Sequence, residues 1–315
     1  MPEDPIHHSN DGLFKLTFEK VENAVGLLKE CLPASLARNL NWNKLALQPG
    51  SFIDDIFKSS SSDLLYTIPC AGSDAFIYCL FEHWSTQYHW VALRLLKYQV
   101  RVWEQFCKQN PKAKKLPIII PVVLAQCEKQ WHVPQYFSEL LEFPDTIKGD
   151  VEHYVPNFTY RLLELARMPY NEIPGTPAGI ISLRVLKAAT LHELMANSVW
   201  DESLFEEIPD DTVASILLYI QNHLSKVDDE QFRSKIKLLK SERIRSIAMT
   251  LAEKYIEDGR LEGRLEGRLE GAIRQCQKLL GKKPFSNEEL GQHSQIELQK
   301  LLDKLDAEVQ MRLRM

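Results

Sequence analysis

Two acids stand where carboxylates could do chemistry. Asp63 opens the apolar run Asp63-Leu64-Leu65-Tyr66, and Glu82 ends the run Phe76-Ile77-Tyr78-Cys79-Leu80-Phe81-Glu82. Between them lies a turn-rich break, Cys70-Ala71-Gly72-Ser73-Asp74. If the runs pair as a hairpin about that break, facing residues have numbers summing to about 145, so Asp63 faces Glu82. Like charges directly opposite in a ladder are destabilising. The pair then needs a cation between the carboxylates, a raised pKa, or a different register. Hard divalent cations take one or two protein carboxylates together with water and substrate phosphate. Hydrolysing a phosphodiester calls for charge neutralisation at phosphate oxygens and a hydroxide-like nucleophile, and a divalent ion serves both needs. A phosphodiester-cleaving site is the leading reading, with Asp63 and Glu82 as ligands of Mg2+, or of Mn2+ or Ca2+. Position 84 shares the strand face of Glu82, where a cation or amide could steer the attacking water.

Several elements must position these acids. Residues 11–31 read as one helix, capped by Asn10 or Asp11. The hairpin strands fall at about 63–68 and 76–82. A long helix over 87–109 follows and ends at Asn110-Pro111. Leu116-Pro117-Ile118-Ile119-Ile120-Pro121-Val122-Val123-Leu124 reads as a strand buried on both faces, with Pro117 at its start and Pro121 at a bulge or edge. A further extended segment covers 154–163. This order predicts a mixed α/β core over residues 1–170. Helical spacing then dominates at 185–196, 211–224 and 229–255, so residues 171–255 read as a helical region and 256–315 as a tail.

The tail carries an exact repeat, Gly-Arg-Leu-Glu at 259, 263 and 267, with a broken copy from Gly271. Four residues advance a helix by about 400°, so each residue type forms a slowly winding stripe. Each interior glycine costs about 1 kcal/mol relative to alanine. Packing against a partner through the glycine and leucine stripes would offset that cost, which makes 256–315 a candidate homo-oligomerisation segment. A tolerant linker made by slippage of a short DNA repeat is the other reading.

Charge is unevenly distributed. Residues 1–231 carry 20 Lys/Arg against 30 Asp/Glu, whereas 232–315 carry 18 against 13. The net charge of −5 gives no general support for nucleic-acid binding, so that case rests on local patches. The six cysteines form no C-x-x-C pair, which argues against zinc or a disulfide framework and suits buried thiols in a reducing cytoplasm. The chain opens without a basic-then-apolar signal segment, and no apolar run reaches the ~18 residues that span a bilayer, so no membrane role is expected.

One local patch offers a second hint. Arg94, Lys97, Arg101 and Lys108 fall within roughly 60° of one helix face, and Lys112, Lys114 and Lys115 continue the charge. Such a stripe beside a metal site could contact DNA phosphates, although a solvated helix face is the commoner situation. Trp84, Tyr88 and Trp90 could stack on bases, but core packing is favoured for them. His83, Asp54, Asp55, Glu19 and Glu22 are weaker candidates, read first as structural, capping or surface groups.

Taken together, Asn10-Asp11-Gly12-Leu13-Phe14-Lys15, Ser51-Phe52-Ile53, Ser62-Asp63-Leu64-Leu65-Tyr66, Ile77 to His83, Arg94-Leu95-Leu96-Lys97-Tyr98 and Leu116 to Leu124 resemble the Rpn family of recombination-promoting nucleases. That family lies within the PD-(D/E)XK nuclease superfamily, and the resemblance covers roughly residues 8–165. It implies a PD-(D/E)XK-like core, a metal-dependent DNA endonuclease tied to recombination or mobile DNA, and Asp63 and Glu82 as its metal-binding acids. One departure stands out. The superfamily pattern ends E-x-K and this family often shows E-H-Q, but here the third position is Trp84. An indole offers one hydrogen-bond donor and no charge. The third group has then moved to Lys97, Arg94 or Gln87, or the acids act alone and slowly, or catalysis is lost and a DNA-binding or inhibitory protein remains.

Overall fold

The structure is a computed structural model that describes residues 5–49, 63–82, 87–144, 146–224 and 228–313. Five strands form one sheet in sequential order: β1 (Ala46–Leu47), β2 (Leu64–Cys70), β3 (Ser73–Glu82), β4 (Ile118–Ala125) and β5 (Arg161–Glu164). The first three are antiparallel neighbours, while β3–β4 and β4–β5 are parallel. The helices are α1 (Pro5–Phe18), α2 (Val21–Cys31), α3 (Ala34–Ala37), α4 (Val91–Gln109), α5 (Lys148–Val151), α6 (Pro177–Thr190), α7 (Glu202–Glu206), α8 (Asp210–Asn222), α9 (Asp228–Leu238), α10 (Glu242–Leu279), α11 (Asn287–Leu290) and α12 (Gln295–Leu313). The class is α/β, with a mixed sheet and many helices.

The first helix expected from sequence is two helices. Lys20 is extended at the break (φ −73°, ψ 111°). Asn23 pays for the interruption by donating its side-chain amide to the Thr17 carbonyl at 2.7 Å, which the end of α1 would otherwise leave open. The long helix starts at Val91 rather than near 87. Pro121 lies inside regular β4 and not at a bulge, opposite Tyr78. It is tolerated because pairing with β5 begins only at Val122, so at Pro121 one side of the strand is still an edge.

The two sheet faces have different covers. On one, α4 lays Val91, Leu95, Tyr98 and Val102 on Leu65, Phe76, Ile119 and Val123. On the other, Tyr66 donates its hydroxyl to the Phe18 carbonyl at 2.6 Å, and Arg161 reaches the Cys31 carbonyl at 2.7 Å. Helices α6 and α8 join this second layer. Thr17 on α1 donates to Ser182 on α6 at 2.9 Å, and Tyr219 on α8 donates to Asn10. By its contacts the chain forms two compact units, Met1–Ile247 and Ala248–Met315. The second unit has its own small core of Ile273, Cys276, Leu290, Leu298, Leu305 and Val309. Its Gly-Arg-Leu-Glu repeats lie within helix α10. Among the described residues, no helix is long and apolar enough to cross a membrane.

Candidate functional site

The hairpin turns one residue earlier than the facing pair Asp63–Glu82 requires. Leu64 pairs with Cys79 and Tyr66 with Ile77, so facing numbers sum to 143. Ala71 and Gly72, both at positive φ (46° and 86°), form the two-residue connection. Two consecutive left-handed residues give the turn whose twist matches the flanking strands. The consequence is a slip of two in the partner of Asp63, from Glu82 to the level of Leu80. A slip of two preserves the face, because side-chain direction repeats every second residue. Asp63 and position 82 thus keep the same parity as Leu65 and Phe76, the face covered by α4. They are diagonal rather than opposed, and diagonal ladder positions lie about 7–8 Å apart. The direct carboxylate clash anticipated from sequence is removed by register.

Asp63 is nearly enclosed, with its side chain 5% exposed. Its Oδ2 lies 3.6 Å from a terminal guanidinium nitrogen of Arg94, which is 23% exposed. Arg94 is held from behind: its Nε donates to the Tyr98 hydroxyl at 3.1 Å, and its guanidinium carbon lies 5.6 Å from the Tyr98 ring centre. Tyr98 is itself buried in the α4–sheet core. Helical geometry explains why Arg94 reaches the sheet. It borders the stripe formed by Val91, Leu95, Tyr98 and Val102, whereas Lys97 lies roughly 60° further round and is exposed.

The other sequence candidates are dispersed. Glu82 ends β3 opposite Ala125, but only its backbone is described. Trp84 and His83 lie outside the described residues, as do Asp54 and Asp55. Gln87 is committed elsewhere: its side-chain amide donates to the Gln130 carbonyl at 2.5 Å, and its oxygen accepts from the His132 N–H at 2.9 Å. Arg101 pairs with Glu104 at 3.3 Å. Lys108, Lys112, Lys114 and Lys115 are exposed. Tyr88 and Trp90 are 46% and 45% exposed, so the core packing expected of them is not found. Among the described residues, no three His, Cys, Asp or Glu side chains converge as a metal cluster. Sequence reasoning placed Arg94 with the phosphate contacts and held it only as one of three third-group candidates. The signal for its place beside Asp63 was its position at the edge of the apolar stripe.

Residues 7–212 match the protein family described as "Putative transposase, YhgA-like". The chain belongs to this family, that of the Rpn proteins. It is 32% identical over 114 residues to the recombination-promoting nuclease RpnA of Escherichia coli K12, covering 36% of this chain and 38% of RpnA. It is 25% identical over 169 residues to RpnC of the same strain, covering 54% of each. The inactive recombination-promoting nuclease-like protein RpnE, also from K12, is 26% identical over 173 residues, covering 55% of this chain and 56% of RpnE. These matches span between about two fifths and just over half of the relatives' own lengths. No solved structure matches the chain.

Proposed function

We propose that this Rpn-family protein is a metal-dependent DNA endonuclease with a PD-(D/E)XK-like core, acting in recombination or on mobile DNA. The observation that carries the reading is Asp63, an enclosed carboxylate at the mouth of β2 on the same sheet face as the position of Glu82. The order α1, β1–β3, α4, β4, with β3 and β4 parallel, supports the proposed core. Three relatives that carry the nuclease name or its inactive form support the activity class at the level of the family.

The donor chemistry fits a hard cation. Carboxylate oxygens suit Mg2+, and an aspartate this enclosed needs positive charge nearby to remain ionised. Asp63 and Glu82 would hold Mg2+, with Mn2+ or Ca2+ as alternatives. Bound there, the ion would supply the Lewis acidity and lowered water pKa that phosphodiester hydrolysis needs. The strands fix the two acids, and the α4 layer excludes water from one side of Asp63. Lys97, Arg101 and Lys108, with the lysines at 112–115, would hold the DNA backbone, a contact that weakens steeply with salt. Residues 256–315 would serve assembly of like chains.

The test is nicking of supercoiled plasmid by the purified protein with Mg2+, Mn2+ or Ca2+, beside Asp63→Ala and Glu82→Ala. Loss of cleavage in both variants supports the site, and cleavage unchanged in both refutes it. A second reading, DNA binding without cutting, is favoured by Trp84 and by the kinship to RpnE. It predicts salt-sensitive DNA retention with no nicking under any of the three metals.

A further inference from the structure

We propose that Arg94 is the fixed cation of this site: it competes with the divalent ion for the Asp63 carboxylate, and its guanidinium then serves the phosphate in place of the group missing at position 84. The inference rests on the metal-site reading above and names the residue that reading leaves open. Of the three candidates for the third group, Gln87 is tied to Gln130 and His132, and Lys97 is exposed on a different part of α4. Arg94 alone of the three is within ion-pair distance of Asp63, at 3.6 Å.

The geometry suits exchange rather than a permanent lock. Tight guanidinium–carboxylate forks close to about 2.7–2.9 Å. At 3.6 Å the pair has charge attraction without that closure. Tyr98 holds Nε, and a terminal nitrogen of the same guanidinium faces Asp63. With 23% of its side chain exposed, Arg94 borders solvent, where a phosphodiester could approach. A divalent ion arriving at Asp63 would take over the neutralising role. Arg94, still anchored by Tyr98, would then present a fixed positive charge to a phosphate oxygen. A guanidinium stays protonated throughout the working range, so Arg94 offers charge and hydrogen bonds but moves no proton. In this respect the site would differ from one built on lysine. The proton of the attacking water would leave to solvent or to phosphate.

The test pairs Mn2+ affinity, read by electron paramagnetic resonance, with plasmid nicking, using parent, Arg94→Gln and Arg94→Lys proteins. Removing the competing charge in Arg94→Gln should tighten Mn2+ binding by about tenfold, while nicking falls by about 10- to 100-fold. Arg94→Lys keeps the charge, so its Mn2+ affinity should stay near the parent's and nicking should partly recover. A role confined to packing would not tighten metal binding. Should Arg94→Gln not fold, the parent alone suffices: the Nε–H resonance of Arg94 should shift on saturation with Mg2+ and stay still in Asp63→Ala. Unchanged or weaker Mn2+ binding in Arg94→Gln, or a still resonance in the parent, overturns the exchange while leaving the metal site standing. A parent with no Asp63-dependent Mn2+ binding overturns both.

Discussion

Gly26 in the unit Met1–Ile247 and Gly267 and Gly271 in the unit Ala248–Met315 stand in opposite surroundings, and the contrast separates what the fold requires from what it tolerates. In α2, a Cβ on Gly26 would come within 2.8 Å of the Thr176 backbone nitrogen and 3.1 Å of Gly175. Two backbones from distant parts of the chain meet there, and only hydrogen fits between them. In α10, a Cβ on Gly267 or Gly271 would meet nothing within 4 Å. The first unit is built from non-local meetings: β3 with β4, β4 with β5, α1 with α6 and α8, Asp63 with Arg94. The second is built from helices close in sequence. A site that must hold two carboxylates and a cation needs the first kind of construction, because neighbours along one helix cannot fix groups from three elements.

The sharpest way to break the contrast is at the acids. Asp63→Asn should lower plasmid nicking by at least about 100-fold, whereas the double variant Gly267→Ala, Gly271→Ala should nick like the parent. Equal losses in the two proteins would erase the distinction. Next in size, Gly26→Ala should destabilise the first unit by about 1–3 kcal/mol through overpacking, seen as a lower urea midpoint. Tyr66→Phe should cost about 1–2 kcal/mol by stranding the Phe18 carbonyl, with nicking per folded molecule retained because Tyr66 lies on the sheet face away from Asp63. Opposite in sign and smaller, each of Gly267→Ala and Gly271→Ala should stabilise α10 by up to about 1 kcal/mol, read as a rise in helix melting by circular dichroism. A loss there would show that the tail glycines make a close contact after all, as assembly through the glycine stripe would require.

The smallest expected effect is a pH slope in the first unit. Burial holds the His223 imidazole below its ordinary 6.5, and the bond of its Nδ1 with the Tyr219 carbonyl only partly opposes this. The folded state then binds this proton less readily than the unfolded state. Its contribution is complete above the ordinary histidine pKa and is lost as pH falls through that value toward the folded one. Urea midpoints measured from pH 7.5 down to 5 should therefore fall less steeply in His223→Gln than in the parent.

Much of this molecule could be read along the chain. Two apolar runs about a turn-rich break located β2 and β3, the β-branched run located β4, and the charge-and-apolar spacing of 87–109 gave α4 and its basic edge. The family was legible in the chained motifs from Asn10 to Leu124, and the acids Asp63 and Glu82 stood out at the mouths of their runs. The thiols met the expectation of burial in part: burial pushes the Cys31 sulfhydryl up to about 11, and Cys127 and Cys276 are likewise buried, whereas Cys70 is half-buried and Cys107 is exposed.

Tertiary structure decided the rest. Register depended on whether Ala71-Gly72 or Gly72-Ser73 made the turn, and sequence alone offered both because Gly72 belongs to each. The break at Lys20 depended on Asn23 reaching back to Thr17 and on α6 lying alongside. That α6 and α8 pack against α1 is an arrangement invisible to local periodicity. Sequence spacing sets which residues share a face, because that is fixed by the geometry of one helix or one strand. Which face meets which is settled by packing between elements far apart in the chain, and the meeting of Arg94 with Asp63 is of that second kind.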